Sequence, residues 1–472
     1  LGFLASLMVA LGAACRTERV PNSAYYGWLE RLGLGAIATD EMGRVLVTLG
    51  CALGVAVWLV SNPLRFRGRL PGWVLAAWCA PLALTLPVLS TDAYAYLDLG
   101  WQGAAGHDPY VAGLGTLGGP FSDYIVNWRG TQSPYPPLSL LIMEQAVRLG
   151  GFVTYPSLLL LRVPAIAGLA VLWWVVPRLA ARVGASARWA RWLVPLNPLV
   201  IVHGIGGLHL DILAAAIAML ALYVAVTRRA FVQAAALVGV AMLIKQTAAV
   251  ALVPIALYAV ADAGQQRVTL RHWRRAVAVG AAAVTVFGAV SLLSYGFGWV
   301  GPLSHSSMGS SMAPSNVAWS VVRMAFEIDH VTPGLAIVRR ILTTGVLLVA
   351  IGVVIARFAD SALRRPLVIS GWLAFASVVA APALREWYWI FPLAMLALVR
   401  DVRAYAACVG VTAYAMLSLP FAEYGIGAVP TGEKVLVATA IGIVLTVVML
   451  ATLGRWAFQS ARVRAASVTP TA

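Results

Sequence analysis

Ionisable residues are scarce in this sequence, so the few set among apolar residues mark where chemistry can occur. Asp92 is the first of them. It stands in Ser90-Thr91-Asp92-Ala93-Tyr94-Ala95-Tyr96-Leu97-Asp98, directly after the apolar run Trp73 to Leu89. A carboxylate where a chain leaves hydrocarbon is costly to keep unless it acts on something. As a general base, Asp92 would orient and deprotonate an attacking hydroxyl. A second reading is open: Thr91 or Asp92 could cap a helix beginning near Ala93, and Ser90 or Thr91 would cap it as well. Asp98 is a candidate second carboxylate, or a residue that simply faces water.

Further along, Gly106-His107-Asp108-Pro109-Tyr110 reads as a turn fixed by Pro109. Its polar groups, His107, Asp108 and Tyr110, are candidates for contacting an acceptor molecule, and turn chemistry alone would also account for them. Tyr94, Tyr96, Trp101, Tyr110, Tyr124 and Trp128 crowd the same stretch. Aromatics at this density suit stacking on a ring, and they suit the belt at a membrane interface equally. Tyr135 lies in Ser133-Pro134-Tyr135-Pro136-Pro137, where prolines start a helix. Glu144 has Arg148 four residues on as its natural partner.

Two cations stand apart from the other basic residues. Lys245 separates two apolar runs. Arg385, followed by Glu386-Trp387-Tyr388, separates two more. Arg offers a planar fork to phosphate oxygens and Lys a point charge, so both are candidates for holding a phosphate. A salt bridge to a nearby acid is the alternative for each. His209-Leu210-Asp211 follows Gly206-Gly207 and opens an apolar run. Two ligands on different helix faces do not make a metal site, so His209 and Asp211 read as a polar mouth to a cavity. Walker A, GxSxG and HExxH patterns are absent, which excludes the ATP site, hydrolase elbow and zincin helix those motifs encode.

The elements that must hold these residues are membrane helices. The chain has 472 residues, 61% hydrophobic and 11% charged, with mean hydropathy +0.85. Soluble domains carry about 25% charged residues. Cys15, Cys51, Cys79 and Cys408 lie in or beside apolar runs without metal-ligand spacing, so neither a disulfide nor zinc is expected. The net charge of +16 does not point to nucleic acid, because the arginines sit in short gaps between apolar runs, as in cytoplasmic loops.

Placing Asn62–Gly72 in the cytoplasm and alternating sides puts 21 of the 34 Lys and Arg residues inside, in seven gaps that all agree. Of the 18 acidic residues, only Asp262, Asp360 and Asp401 fall inside. About 13–14 crossings follow, the count turning on whether residues 1–14 form a complete span. Residues 90–155 become a first long outer loop carrying the candidate base. Residues 296–334, with His305, become a second outer loop and a possible gate, and residues 455–472 a cytoplasmic tail. Several runs fall short of the roughly 20 residues that a straight spanning helix needs. Those flanking Lys245 and Gly206–His209 therefore read as helices that stop early and leave a cavity. One integral unit, residues 1–472, is expected, without a separate soluble domain.

Taken in order, these pieces resemble a known family. Gly2-Phe3-Leu4-Ala5-Ser6-Leu7, Asp92-Ala93-Tyr94-Ala95-Tyr96, Gly106-His107-Asp108-Pro109-Tyr110, Ser133-Pro134-Tyr135-Pro136-Pro137-Leu138, Asn197-Pro198-Leu199-Val200 with His209 and Asp211, and Glu386-Trp387-Tyr388 are similar to segments of the GT-C superfamily of polyprenyl-phosphate-sugar glycosyltransferases. Within it the chain resembles the MptA/MptB-type α-(1→6)-mannosyltransferases of lipomannan and lipoarabinomannan synthesis. The resemblance implies an all-α polytopic GT-C fold in a bacterial plasma membrane, with its active site on the outer face. It implies an inverting transferase that takes mannose from polyprenyl-phosphate mannose to a mannan or glycolipid acceptor. Asp92 matches the family's catalytic aspartate, and the donor chemistry implies no nucleotide sugar, no cofactor and no metal. Family members often show His-Asn-Asp and Gln-Pro-Trp-Tyr where this chain has His209-Leu210-Asp211 and Arg385-Glu386-Trp387-Tyr388. An arabinofuranosyl donor is the nearest alternative. A flippase for lipid-linked sugar is the alternative of another class, disfavoured because no internal repeat is evident.

Overall fold

The structure is a computed structural model. It describes residues 1–15, 20, 23–66, 68, 70–125, 127–261, 270–302, 319, 321–323, 325, 326, 328, 332–381, 384–420, 440, 444 and 451. Most of residues 296–334, including His305, and the whole 455–472 tail lie outside the described residues. The protein is an all-α polytopic membrane protein, and no strand occurs among the described residues. Its helices are α1 (Gly2–Ala14), α2 (Ala24–Arg31), α3 (Asp40–Val60), α4 (Gly72–Ala83), α5 (Asp92–Ala104), α6 (Pro137–Leu149), α7 (Thr154–Arg182), α8 (Ala187–Leu193), α9 (Pro198–Ile201), α10 (Asp211–Arg228), α11 (Phe231–Met242), α12 (Leu252–Ala261), α13 (Leu270–Leu292), α14 (Pro333–Phe358), α15 (Pro366–Val379), α16 (Ile390–Leu396) and α17 (Val402–Pro420).

Five stretches, Asp40–Val60, Thr154–Arg182, Asp211–Arg228, Trp273–Leu292 and Gly334–Ser361, are long and apolar enough to cross a membrane. Among the described residues, six further apolar helical stretches are only 10–17 residues long. Helix α1 lies against α3 at close range. A Cβ at Gly50 would come within 2.8 Å of the Ala5 carbonyl oxygen, so only glycine lets the two backbones approach, as small residues do in membrane bundles.

Three apolar runs do not form single continuous helices: Trp73 to Leu89, read from sequence as a span, Trp192 to Ile205 and Tyr388 to Val399. The run Trp73 to Leu89 is helical only to Ala83. Pro87 forces its predecessor out of the helical region, and the freed carbonyls of Ala83 and Thr85 accept bonds from Arg162 at 3.0 and 2.7 Å. Trp192 to Ile205 splits into the end of α8, the short α9 and a π-helical turn, Val202–Gly206. Asn197 caps α9 by accepting the Leu199 N–H at 2.9 Å, and Pro198 at the first helical position fixes the restart. Tyr388 to Val399 becomes a 3₁₀ turn, Glu386–Trp389, followed by α16.

The breaks gather the polar segments at one end. Helices α4 and α11 run toward that end, and α7 and α10 run away from it to Arg182 and Arg228. At the other end the basic gaps meet. Arg188 donates to the carbonyls of Pro63 and Phe66 at 3.2 and 2.6 Å, and Trp189 stacks on Tyr405 at 5.1 Å.

Candidate functional site

Asp92 is the first residue of α5, with Thr91 as N-cap. Thr91 makes no side-chain cap bond, and Ser90 Oγ accepts the Asp92 N–H at 3.1 Å. Local turn formation is therefore met by Ser90, and the Asp92 carboxylate is free for something else. Its Oδ1 accepts the Trp128 indole N–H at 2.9 Å. Asn127, next to Trp128, donates to Thr91 Oγ1 at 3.0 Å. Helix α5 is held by α6, whose Met143 carbonyl fills the space that any side chain at Gly100 would need.

Around Asp92 the broken helices converge. Its charge acts on Tyr96, Tyr135, Asp211, Lys245 and Tyr388. Lys245, between α11 and a 3₁₀ turn, pairs with Asp211 at 3.5 Å, and both side chains are nearly buried. The salt bridge left open from sequence thus exists, but it is long. The Lys245 ammonium also lies 5.2 Å from the Tyr135 ring and 5.0 Å from the Tyr388 ring, an aromatic cradle for a cation. Arg385 lies 5.7 Å from the Trp128 ring. Two cations and two carboxylates therefore share one aromatic-walled cluster.

A hydrogen-bonded line crosses it. Tyr135 donates to the Tyr96 hydroxyl at 3.3 Å, and Tyr96 bonds His209 Nδ1 at 3.1 Å. Burial pushes the Tyr96 and Tyr135 phenols up from their ordinary value, so both keep their protons. Trp387 stacks on the His209 ring at 3.6 Å. Arg162, buried in α7, bonds the carbonyls of Ala83, Thr85 and Ile205 at once. Those carbonyls end the segments that lead to Asp92 and to His209–Asp211.

The other sequence candidates are placed as follows. Asp98 is 1% exposed, and its Oδ2 accepts from Gln102 and from the Gly115 N–H, both at 2.9 Å. It therefore does not face water; it pins the loop at Gly115. Burial pushes its carboxyl up, opposed by the Gly115 and Gln102 bonds. His107 and Asp108 are exposed, and Asp108 Oδ1 accepts the Tyr110 N–H at 2.9 Å, the turn chemistry weighed from sequence. Tyr110 is buried and donates to the Tyr135 carbonyl at 3.0 Å, bracing Tyr135. Tyr94 is buried and stacks on Tyr124 at 5.1 Å. Glu386 is buried beside Trp387. Glu144 pairs with Arg148 at 2.8 Å.

Two residues escaped sequence reasoning. Arg162 carried a readable signal, since an arginine inside an apolar run is rarely idle. His203, in the π-helical turn, has its ring 6.4 Å from that of His209 and 6.0 Å from that of Trp387. Short π-helical segments frequently mark functional positions, but no spacing in the sequence announces one.

Residues 1–261 match the family described as "Alpha-(1->6)-mannopyranosyltransferase, N-terminal domain". The chain is 28% identical to alpha-(1->6)-mannopyranosyltransferase A of Mycobacterium tuberculosis over 438 residues, 88% of this chain and 83% of the relative. It is 30% identical to alpha-(1->6)-mannopyranosyltransferase A of Corynebacterium glutamicum over 333 residues, 64% of this chain and 68% of the relative. Alpha-(1->6)-mannopyranosyltransferase B of the same organism is 29% identical over 232 residues, 44% of this chain and 37% of the relative.

Proposed function

The chain belongs to the alpha-(1->6)-mannopyranosyltransferase family, and from that premise we propose that it transfers mannose from polyprenyl-phosphate mannose to a mannan acceptor with Asp92 as the base. It is a membrane-embedded glycosyltransferase with mannosyltransferase relatives; donor, acceptor and stereochemistry belong to this proposal.

In the proposed step the acceptor hydroxyl gives its proton to Asp92 as its oxygen bonds the anomeric carbon. The bond from that carbon to the phosphate oxygen breaks on the opposite face, so the configuration inverts from β to α. Polyprenyl phosphate leaves with the electron pair and one more negative charge than the donor carried. Lys245 and Arg385 stand ready for that charge, and such stabilisation counts most where water is excluded. Tyr135 and Tyr388 flank Lys245 and keep its ammonium directed.

One observation carries the reading: a carboxylate at a helix start, not spent on capping, sits in the same cluster as Lys245. The test is Asp92→Asn, assayed in proteoliposomes with polyprenyl-phosphate mannose and a short α-(1→6)-mannan acceptor. General-base removal costs on the order of 10²–10⁴-fold, so turnover should fall by about a thousandfold while donor binding persists. Wild-type turnover in Asp92→Asn would remove the assignment.

A further inference from the structure

We propose that Trp128 is a positioning residue, whose indole N–H fixes the Asp92 carboxylate so that one oxygen is held and the other is presented to the acceptor. The inference rests on the reading of Asp92 as the base.

A carboxylate turns easily about its last side-chain torsion, which has broad, roughly two-fold wells. A base that must receive a proton along one direction needs that torsion set. Trp128 Nε1 donates to Oδ1 at 2.9 Å, and no bond to Oδ2 is made among the described residues. The indole is itself located from two sides. Asn127 ties its loop to the α5 N-cap through Thr91, and the Arg385 guanidinium lies over the ring. Because indole is a donor only, it cannot take the acceptor's proton in place of Asp92. The groups that face Asp92 are Tyr96, on its own helix, and, from other elements, Tyr135, Asp211, Lys245, Tyr388 and, over the indole, Arg385.

Trp128→Phe keeps an aromatic ring under Arg385 and deletes the N–H with part of the indole. Trp128→Gln restores an N–H donor without the ring. Both are compared with wild type and Asp92→Asn for kcat and KM, each variant first checked for monodisperse elution. In Trp128→Phe, kcat should fall about tenfold, the scale of one bond to a charged group. KM for the acceptor should stay within about twofold. Trp128→Gln should return part of the lost kcat. A structural role alone would lower the yield of folded protein without separating kcat from KM. If Asp92→Asn is inactive while Trp128→Phe keeps the wild-type kcat, the Trp128 proposal is overturned and the base assignment stands. If Trp128→Phe does not fold, a folded Trp128→Gln whose kcat falls as far as that of Asp92→Asn overturns it equally, because the donor is then present without its effect. An active Asp92→Asn overturns the base assignment itself.

Discussion

Asp98 and Asp92 lie on the same helix and meet opposite fates. Asp92 is partly exposed in the cluster, whereas Asp98 is sealed under the Gly115 loop with Oδ1 unpartnered. Burial raises the folded-state pKa of Asp98 above the unfolded carboxylate value of about 3.9. The folded protein then binds the proton more tightly, so the linkage sign is negative: stability falls as pH rises through the interval between the two values and is flat above it. Asp98→Asn can keep the bonds from Gln102 and Gly115 on its carbonyl oxygen and cannot ionise. Its melting temperature relative to wild type should therefore be higher at pH 7 than at pH 4, with transfer activity retained. Asp98→Ala strands the buried Gly115 N–H and should lose about 1–3 kcal/mol. Thermal unfolding of the detergent-solubilised protein at both pH values decides it; an Asn variant that is inactive yet fully stable would mean that Asp98 acts on substrate after all.

At the level of elements, one side chain joins the breaks that shape the site. Helix α4 ends early and the segment before α10 winds into a π turn. Such ends leave carbonyls without intrahelical partners, and in a membrane interior these need protein donors. The Arg162 fork bonds three of them. Arg162→Ala should lower the melting temperature markedly and reduce transfer with it. Arg162→Lys should recover only part, because an ammonium cannot span three carbonyls as a planar fork does. Wild-type stability and activity in Arg162→Ala would sink the idea. Sequence disclosed much of this layer. Apolar runs gave the helices, and Pro136-Pro137 marked the start of α6. The scarcity of ionisable residues singled out Asp92, Lys245 and Arg385. The breaks were less legible: an apolar run reads alike whether its carbonyls are taken within a helix or by a distant arginine, and Ala83 and Arg162 are 79 positions apart. The Trp128–Asp92 bond was hidden likewise, since an aromatic cluster does not say which ring turns its N–H inward.

On the scale of the whole molecule, the two ends of the bundle differ in charge and in structure. Asp92, Asp211 and Lys245 sit at helix starts or breaks toward one end, whereas α7 and α10 carry their chains away to Arg182 and Arg228. The Arg188 bonds to Pro63 and Phe66, and the Trp189–Tyr405 stack, bring three basic gaps together at the other end. Positive residues in short loops stay in the cytoplasm, so the proposed function puts the site at the opposite, outer end. Single cysteines test it directly. Cys15, Cys51 and Cys408 are buried, and Cys79→Ser removes the one partly accessible thiol. In that background His107→Cys lies on an exposed turn beside the site, and Arg364→Cys is exposed in a basic gap. A membrane-impermeant maleimide added to intact cells with their outer layers opened should label His107→Cys, and label Arg364→Cys only after the plasma membrane is permeabilised. The reverse pattern would put Asp92 on the cytoplasmic side, where the arginines would no longer explain the orientation and a cytoplasmic donor would have to replace the lipid-linked one.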